Sequence, residues 1–265
     1  MKDFKLKKNF KVSVLIANYN NQNFINKCIK SLKSQSYKNL EIIFHDDCSK
    51  DKSLIIASRY KNIKIIKNKI RGKYGSINQM RAYERAFKIS KGEIIFFLDS
   101  DDYFTKRKKE KIVKLFKSNH KLNAVYDLPI HKYGNNYLIK KNKKKFLNNY
   151  WPYIPPQSCI SIRRNYFKKI MKKINFKKFP DIWMDFRIAI YLIYIAKNYF
   201  ILEDNLTYYR QSTLMVSSKF KFLSFSWWKR RMQAHNYIQF FFSKSRINYK
   251  KNLDFYLTYI INRFL

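Results

Sequence analysis

The stretch "EIIFFLDSDDYF", residues 93–104, joins an apolar run to a group of carboxylates. Its apolar residues 94–98 predict a buried strand. Asp99, Asp101 and Asp102 follow within four positions, in a chain with only 17 acidic residues against 57 Lys and Arg. Scarce carboxylates gathered at a strand end indicate a functional site, although Asp101 and Asp102 could also cap the next helix.

Similar strand-like runs precede this stretch and alternate with segments of helical spacing. The predicted strands lie in 11–20, 40–47, 62–68 and 93–102, and the predicted helices in 23–37, 51–60, 76–90 and 105–118. Gly92 follows the third helix as its expected stop. Strands alternating with helices predict an α/β protein with a Rossmann-like, mostly parallel sheet and helices on both faces.

The pattern changes after about residue 122. Residues 122–141 predict strands joined by a hairpin that turns at 134–136. Residues 151–164 predict a Pro-rich loop that enters a strand, 183–198 a buried helix, and 199–211 a pair of strands. The aromatic and basic tail from about residue 219 predicts a C-terminal helical extension.

Composition limits the function classes. The net charge of +40 favours polyanionic partners, but lysine greatly outnumbers arginine, so specific nucleic-acid binding is not expected. We expect a solvated helix face for the charged run "KRKKEKIVK" at 106–114. Three cysteines without CxxC spacing, no apparent signal peptide and no long apolar run predict a cytoplasmic protein.

Polar residues end three of the predicted strands. They are Asn18 to Asn20, then Asp46 and Asp47, and then the group that begins at Asp99. In an open parallel sheet these ends meet at the edge where ligands bind. Carboxylates without His or Cys suit Mg²⁺ or Mn²⁺, and no GxGxxG or P-loop motif competes with that interpretation. Asp46 and Asp47 could instead be turn and capping residues.

The segments "VSVLIANYN", "EIIFHDDCSKDKS" and "KGEIIFFLDSDD" resemble, in order, the N-terminal motifs of family 2 glycosyltransferases. "PQSCISIRRNYF", "WMDFRIAI" and "LTYYRQS" resemble its later motifs. The resemblance implies the glycosyltransferase A fold and inverting sugar transfer from a nucleotide donor, UDP favoured. It implies a nucleotide-sugar-binding half in 1–125, an acceptor-binding half in 126–218, and aromatic and basic C-terminal helices in 219–265.

The resemblance also implies roles for single residues. Asp101, with Asp99 and Asp102 beside it, would hold Mn²⁺ or Mg²⁺. Asp47 would bind the uracil ring and Tyr19 would pack on the base. The other donor-binding positions that it implies, or that we expect beside them, are Ala17, Asn78, Arg81, Ser100 and Arg210.

A general base is needed near the acceptor hydroxyl. The resemblance assigns this role to Asp185, whereas Met184 stands where the family usually has a second carboxylate. Asp181 is the alternative base. Asp185 could also simply pair with Arg187 or another buried cation.

Other interpretations stay open at this point. The missing carboxylate suggests a relative that binds nucleotide sugar without turnover, and the charge suggests a polyanion-binding module. The acceptor would be a saccharide or a lipid-linked sugar. Trp227 and Trp228 beside Lys229, Arg230 and Arg231 predict docking on an anionic membrane surface, or else a helix packed on the main domain.

Overall fold

The computed structural model describes residues 9–139, 155–174, 178–211 and 220–264. Its strands are β1 (Val12–Asn18), β2 (Leu40–Asp46), β3 (Ile63–Lys67), β4 (Ile94–Asp99), β5 (Tyr103–Phe104), β6 (Ala124–Tyr133), β7 (Asn136–Leu138), β8 (Ile160–Arg163) and β9 (Tyr199–Gln211). Its helices are α1 (Gln22–Lys33), α2 (Ser53–Ser58), α3 (Gly75–Ile89), α4 (Lys108–Ser118), α5 (Arg164–Lys173), α6 (Met184–Ile190), α7 (Phe225–Lys244) and α8 (Leu253–Phe264).

The strands form one nine-stranded sheet in the order β3-β2-β1-β4-β8-β6-β9-β5, with β7 paired to β6. β3, β2, β1 and β4 are parallel neighbours, whereas β8 runs antiparallel to both β4 and β6. β6 and β9 are parallel to each other. The predicted βαβ organisation of the first hundred residues is therefore confirmed, within a sheet that becomes mixed after β4.

Both faces of the sheet are covered. The side chains of β4 alternate between two buried clusters: Ile94, Phe96 and Leu98 join one, and Ile95 and Phe97 join the other. The first cluster includes residues of α1, α2 and α4, and the second includes residues of α3, α5, α6 and α7. A strand buried on both faces reads as a continuous apolar run, which explains the composition of residues 94–98.

Two predicted boundaries are wrong for local reasons. The fourth helix begins at Lys108 instead of Thr105, because residues 103–104 pair with β9 as the short strand β5. Gly92 does not end a helix by a left-handed turn. A Cβ there would lie 2.4 Å from the backbone nitrogen and Oγ of Ser13, so glycine is needed for this close approach.

Of three further predicted segments, two differ in the structure and one is confirmed. Residues 199–211 form one long strand instead of a pair, because β9 follows β6 for most of its length. The helix from 183 breaks into α6 and a π-helical turn, Tyr191–Ala196, which ends at Lys197 in the left-handed region. The hairpin at 134–136 is confirmed, with Tyr133 paired to Asn136.

The solvated helix face predicted for α4 is wrong at two lysines. The side chains of Lys108 and Lys109 are both 0% exposed. Lys108 Nζ lies 2.7 Å from Asp127 Oδ1, and it donates to the Ser158 carbonyl and to Thr207 Oγ1, each at 2.6 Å. An internal partner from β6 therefore draws one lysine into the core.

The C-terminal helices pack on the main domain. Tyr237, Ile238 and Phe241 of α7 belong to the cluster that contains α6, and Phe255 of α8 packs edge-to-face on His235 of α7. The predicted C-terminal helical extension is thus confirmed. Among the described residues, no helix is long and apolar enough to span a membrane.

Candidate active site

The ends of four parallel strands lie level at one edge of the sheet. Asn18 pairs with Asp46, Ala17 with Asp99, and Asp46 with Lys67. The residues that follow these positions therefore share a rim, as the sequence predicted for three of the strands. Ala17 itself belongs to β1 and lies beside the first carboxylate of the β4 group.

Tyr19, Asp47 and Arg71 contact one another at the outer part of this edge, and we call this group the cleft. The Arg71 guanidinium lies 3.6 Å from the centroid of the Tyr19 ring, and its Nε is 3.0 Å from Asp47 Oδ2. Asn68 Nδ2 donates to the other carboxylate oxygen of Asp47 at 2.7 Å. Burial raises the pKa of Asp47, although Asn68 and Arg71 oppose this effect.

Arg71 was missed in the sequence analysis. The available signal was the polar end of β3: Asn68 follows that strand directly, and Arg71 follows three residues later. β3 ends at the same edge as β2, so the polar residues that follow it lie at the same rim as those of the other strand ends.

Asp46 and Asp47 have different roles although they are adjacent. Asp46 accepts hydrogen bonds from Asn18 Nδ2 at 2.7 Å and from the backbone amide and hydroxyl of Ser49. These contacts fix the turn after β2, which is the structural role considered for both residues. Only Asp47 turns its carboxylate towards the cleft residues.

The carboxylates after β4 lie in a buried polar cluster. Asp99 Oδ1 accepts hydrogen bonds from Gln79 Nε2 and Tyr83 OH of α3, both at 2.8 Å. Asp102 Oδ2 accepts from Ser158 Oγ at 2.6 Å. Gln79, Tyr83 and Ser158 were also missed, since they come from α3 and from the turn before β8 and lack a motif of their own.

Burial, and after it the repulsion between neighbouring carboxylates, raises pKa values in this cluster. Burial and the charge of Asp101 raise the pKa of Asp99 to about 7. Burial, with the charges of Asp101 and Asp99, also raises the pKa of Asp102. Asp185 adds to the effect on Asp99, which shows that the predicted base and the β4 carboxylates share one electrostatic environment.

The three carboxylates do not form an all-protein metal cage. Among the described residues, no group of three or more His, Cys, Asp or Glu is arranged to hold a metal ion. Both oxygens of Asp102 accept protein hydrogen bonds, from Ser158 and from the backbone amide of Arg210. Asp101 is accordingly the stronger candidate ligand, with Asp99 beside it.

Arg210 and Ser100 lie at this cluster, and their donor-binding roles stay predictions. Arg210 Nε donates to the Asp101 carbonyl at 3.0 Å, and its guanidinium lies 4.2 Å from the Phe24 ring centroid. Ser100 is buried and its hydroxyl accepts a hydrogen bond from Asn21 Nδ2 at 2.8 Å. Ser100 thus fixes the turn between β4 and the acidic residues.

Asn78 and Arg81, the two residues predicted to contact the diphosphate, differ in their burial. Asn78 is buried, and its side-chain amide donates to the Gly72 carbonyl at 2.7 Å. This bond holds the segment between β3 and α3 that carries Arg71. Arg81 is exposed on α3. Both roles stay predictions, with Asn78 placed to support the cleft through the backbone.

Asp185 lies in the first turn of α6. Its Oδ1 accepts the backbone amide of Phe186 at 2.7 Å. Burial raises its pKa, while the nearby Arg230 of α7 opposes this effect. Arg187 is not its partner: that guanidinium donates to backbone carbonyls, among them those of Phe179 and Ile182.

Asp181, the alternative base, is held in a different way. Its backbone amide donates to Gln233 Oε1 at 3.0 Å, and Gln233 Nε2 donates to Asp181 Oδ2 at 2.6 Å. This reciprocal pair joins the segment before α6 to α7. The geometry therefore favours a structural role for Asp181.

A cavity of about 280 Å³ opens at Trp183 and Phe186, which flank Met184 and Asp185 in the sequence. It is lined by Ile182, Trp183, Phe186, Trp227, Arg230, Arg231 and Ala234. The Arg230 guanidinium lies 5.8 Å from the Trp183 ring centroid. Aromatic walls and guanidinium groups suit a sugar that carries phosphate. Residues of the tail that sequence analysis associated with a membrane therefore face this cavity in part.

Comparison with known proteins agrees with this geometry. The sequence model described as "Glycosyl transferase family 2" matches residues 13–188. A relative from Escherichia coli, UDP-Glc:alpha-D-GlcNAc-diphosphoundecaprenol beta-1,3-glucosyltransferase WfaP, is 42% identical over 100 residues, covering 37% of this chain and 38% of that protein. The chain spans 37 to 64% of the length of the first curated relatives that it matches.

Two solved structures share the fold. The crystal structure of Staphylococcus aureus TarS 1-349 in complex with UDP-GlcNAc superposes with a TM-score of 0.63 at 19% identity, over 85% of this chain and 66% of that chain. The mannosyltransferase PcManGT from Pyrobaculum calidifontis, in complex with GDP-Man and Mn²⁺, gives 0.58 at 13% identity, over 97% and 70%. These similarities confirm the glycosyltransferase A fold.

Proposed function

Because this chain belongs to glycosyl transferase family 2, we propose that it transfers a sugar, with inversion, from a nucleotide-sugar donor to a saccharide or lipid-linked acceptor. The observation that carries the proposal is the placement of two unlike groups on one sheet edge. A cleft of Tyr19, Asp47 and Arg71 stands at the ends of β1 to β3, and the β4 carboxylates stand beside it. Asp185 is near enough to Asp99 for its charge to raise the pKa of that carboxyl.

The cleft supports a UDP-sugar donor. The Tyr19 ring offers a face for the base, and the Asp47 carboxylate can accept the N3–H of uracil. Arg71 now covers that face, so donor binding moves its guanidinium, for which the diphosphate is a suitable partner. The E. coli relative uses UDP-Glc and TarS binds UDP-GlcNAc, which is consistent with this choice.

The β4 cluster supports a divalent cation, Mn²⁺ or Mg²⁺, held by Asp101 with help from Asp99. Such ions commonly take one or two carboxylates and complete their shell with substrate phosphate oxygens. When bound, the ion would offset the negative charge that develops on the departing nucleoside diphosphate. The complex of PcManGT with GDP-Man and Mn²⁺ agrees with this proposal. Arg210 would add a fixed positive charge at the same place.

Asp185 is the proposed base. Its carboxylate takes the proton of the acceptor hydroxyl as the oxygen bonds to the anomeric carbon, and the bond from that carbon to the diphosphate breaks. Burial weakens Asp185 as an acid, while Arg230 keeps its ionised form accessible. The missing carboxylate at Met184 leaves this single base in the α6 turn.

The acceptor would enter from the cavity at Trp183 and Phe186. Arg230 and Arg231 can bind a phosphate, and Trp183 and Trp227 can stack on a sugar ring. The E. coli relative acts on a diphosphoundecaprenol-linked sugar. We therefore favour a phosphate-bearing acceptor used in surface polysaccharide or glycolipid synthesis at the cytoplasmic face of the membrane.

The test compares substitutions of Asp185 and Asp181, which lie four residues apart. UDP release from UDP-glucose and UDP-GlcNAc is measured with and without Mn²⁺, and donor binding is measured by thermal shift. We expect Asp185→Asn to lower turnover by about 10²- to 10⁴-fold with donor binding retained. Asp181→Asn, the matched control, should keep its turnover within a few-fold if it still folds.

Equal losses in both variants would contradict the assignment of Asp185. Wild-type protein that binds the donor but never releases UDP would instead indicate a non-catalytic relative. Absence of any donor-dependent and metal-dependent stabilisation would refute the proposed function itself.

A further inference from the structure

Helix α8 presents an apolar face that no described part of the chain covers. Its exposed residues repeat at i, i+3, i+4, i+7 and i+11 and cover roughly 100° of the helix surface. They are between 49 and 83% exposed and are Leu253, Tyr256, Leu257, Ile260 and Phe264, which we call the α8 stripe. The opposite side of the helix buries Phe255 and Thr258. The helix is thus apolar on two sides, and only one of them meets α7.

Positive charge borders the α8 stripe. Lys250 and Lys251 precede the helix and Arg263 lies in its last turn, all of them exposed. Asp254 is the one acidic residue in the sequence from 220 to 264. It turns inward, where it forms an ion pair with Arg231 of α7 and lies 3.0 Å from Nε2 of His235, whose pKa is lowered by burial to about 4. Exposed cations therefore lie at both ends of the α8 stripe, although Lys251 Nζ also reaches to 5.0 Å from the Phe255 ring centroid on the inner side.

Exposed apolar side chains with cations beside them favour one kind of binding partner for the α8 stripe. A second copy of the chain would bring another net charge of +40 to the contact, so self-association through this face is electrostatically opposed. An anionic lipid surface complements the cations and accepts the apolar side chains between its headgroups. We propose that the α8 stripe docks this protein on the surface of an anionic bilayer, with α8 lying along the interface.

The position of α8 connects docking with the acceptor cavity. α7 lies between α8 and the core, and Arg231 of α7 lines the cavity while pairing with Asp254 of α8. Asn262 Nδ2 of α8 also donates to the Trp228 carbonyl of α7 at 3.1 Å. Docking would thus bring the cavity close to lipid-linked substrates; this consequence, unlike the docking itself, rests on the proposed function.

The test uses flotation with vesicles of phosphatidylcholine alone or mixed with phosphatidylglycerol. We expect binding only to the anionic vesicles at about 0.15 M salt, with weaker binding as salt rises. The double variant Leu257→Gln and Ile260→Gln keeps the charge and removes apolar area, so its vesicle affinity should fall roughly tenfold or more. Ile55→Gln with Ile89→Gln is the matched control on α2 and α3 and should bind like the wild type.

Three results would overturn the proposal. The wild type could stay in the soluble fraction, or the α8 variant could bind as well as the wild type, which would indicate attraction by general charge only. Sedimentation could also show a wild-type dimer that the α8 variant lacks, with no vesicle binding by either. UDP release from the donor is measured on the same samples, and both double variants should keep it, so a failed docking test is distinguishable from a failed enzymatic one.

Discussion

Lys108 and Lys109 are adjacent, equally buried and both on α4, yet opposite outcomes are expected when each is replaced by methionine. Lys108 forms an ion pair with the buried Asp127 and donates to two further oxygens. Burial raises the pKa of Asp127, and Lys108 is the main group that opposes this effect. Lys108→Met leaves that carboxylate without its cation and should lower the free energy of unfolding by about 3–5 kcal/mol.

Lys109 has weaker polar contacts than Lys108. Its Nζ donates to the Leu32 carbonyl at 3.3 Å, and burial, with the charges of Lys38 and Lys108, lowers its pKa to about 7. Its ordinary value is 10.5, so at neutral pH and below, burial of the charged form costs on the order of 5 kcal/mol. Lys109→Met removes this cost and should leave the protein at least as stable at pH 7.

The pH dependence separates the two lysines further. Between pH 7 and about 10 the unfolded chain binds a proton at Lys109 that the folded chain lacks, so the stability of the wild type rises with pH in that window. Lys109→Met does not carry this contribution. Its advantage over the wild type should therefore shrink as the pH rises through the window and disappear near pH 10.

Urea unfolding of the wild type and the two variants, at several pH values and with the m-value checked, measures these differences. A third variant, Lys108→Met with Asp127→Leu, replaces the whole pair and should recover most of the stability lost in Lys108→Met. The reasoning fails if Lys108→Met costs no more than Lys109→Met at pH 7. It also fails if the double variant is less stable than the single one.

Two further predictions concern the opposite end of the sheet. Burial tends to raise the pKa of Glu41, but hydrogen bonds from Ser13 and other donors lower it to about 2. Glu41→Gln should therefore lose about 3 kcal/mol of stability above pH 4.5, and acid titration should show this deficit closing towards pH 2. Gly92→Ala forces a Cβ against Ser13 and should cost about 1–3 kcal/mol in urea unfolding. Lys91 is exposed, so Lys91→Ala is the control and should hardly change the stability. Equal urea midpoints for the Gly92→Ala and Lys91→Ala variants would contradict the steric argument.

The positions of the proposed donor-binding residues were largely predictable from the sequence because they depend on local structure. Strand ends carry their polar residues with them, so a buried run followed by Asp99 or Asp47 places those side chains at the rim without knowledge of the rest of the fold. Arg71 was not predicted because β3 is half exposed and Arg71 lies a few residues after the end of that strand.

The surroundings of Asp185, the proposed acceptor side, could not be predicted in the same way. Its contacts join residues that are distant in the sequence, as when the backbone of Arg210 donates to Asp102 or Arg230 of α7 approaches Asp185 of α6. The strand β9 was also mistaken for a pair, since its sequence has no signal for the partner β6 that keeps it extended. Periodicity predicts which residues are buried in an element, but not which element buries them.

The same limit explains why a run of charges does not by itself define its surroundings. A run of lysines on a helix predicts a solvated face, yet Asp127 from a strand 19 residues later draws Lys108 inside. Likewise, the basic aromatic run of the tail suggested either a lipid-facing surface or a helix packed on the main domain, and α7 does pack on the core while its Arg231 pairs with Asp254. In a chain with so few carboxylates, Asp127 and Asp47 each fix the place of one particular cation, Lys108 and Arg71. The position of the scarce acids therefore explains more of this architecture than the abundant lysines do.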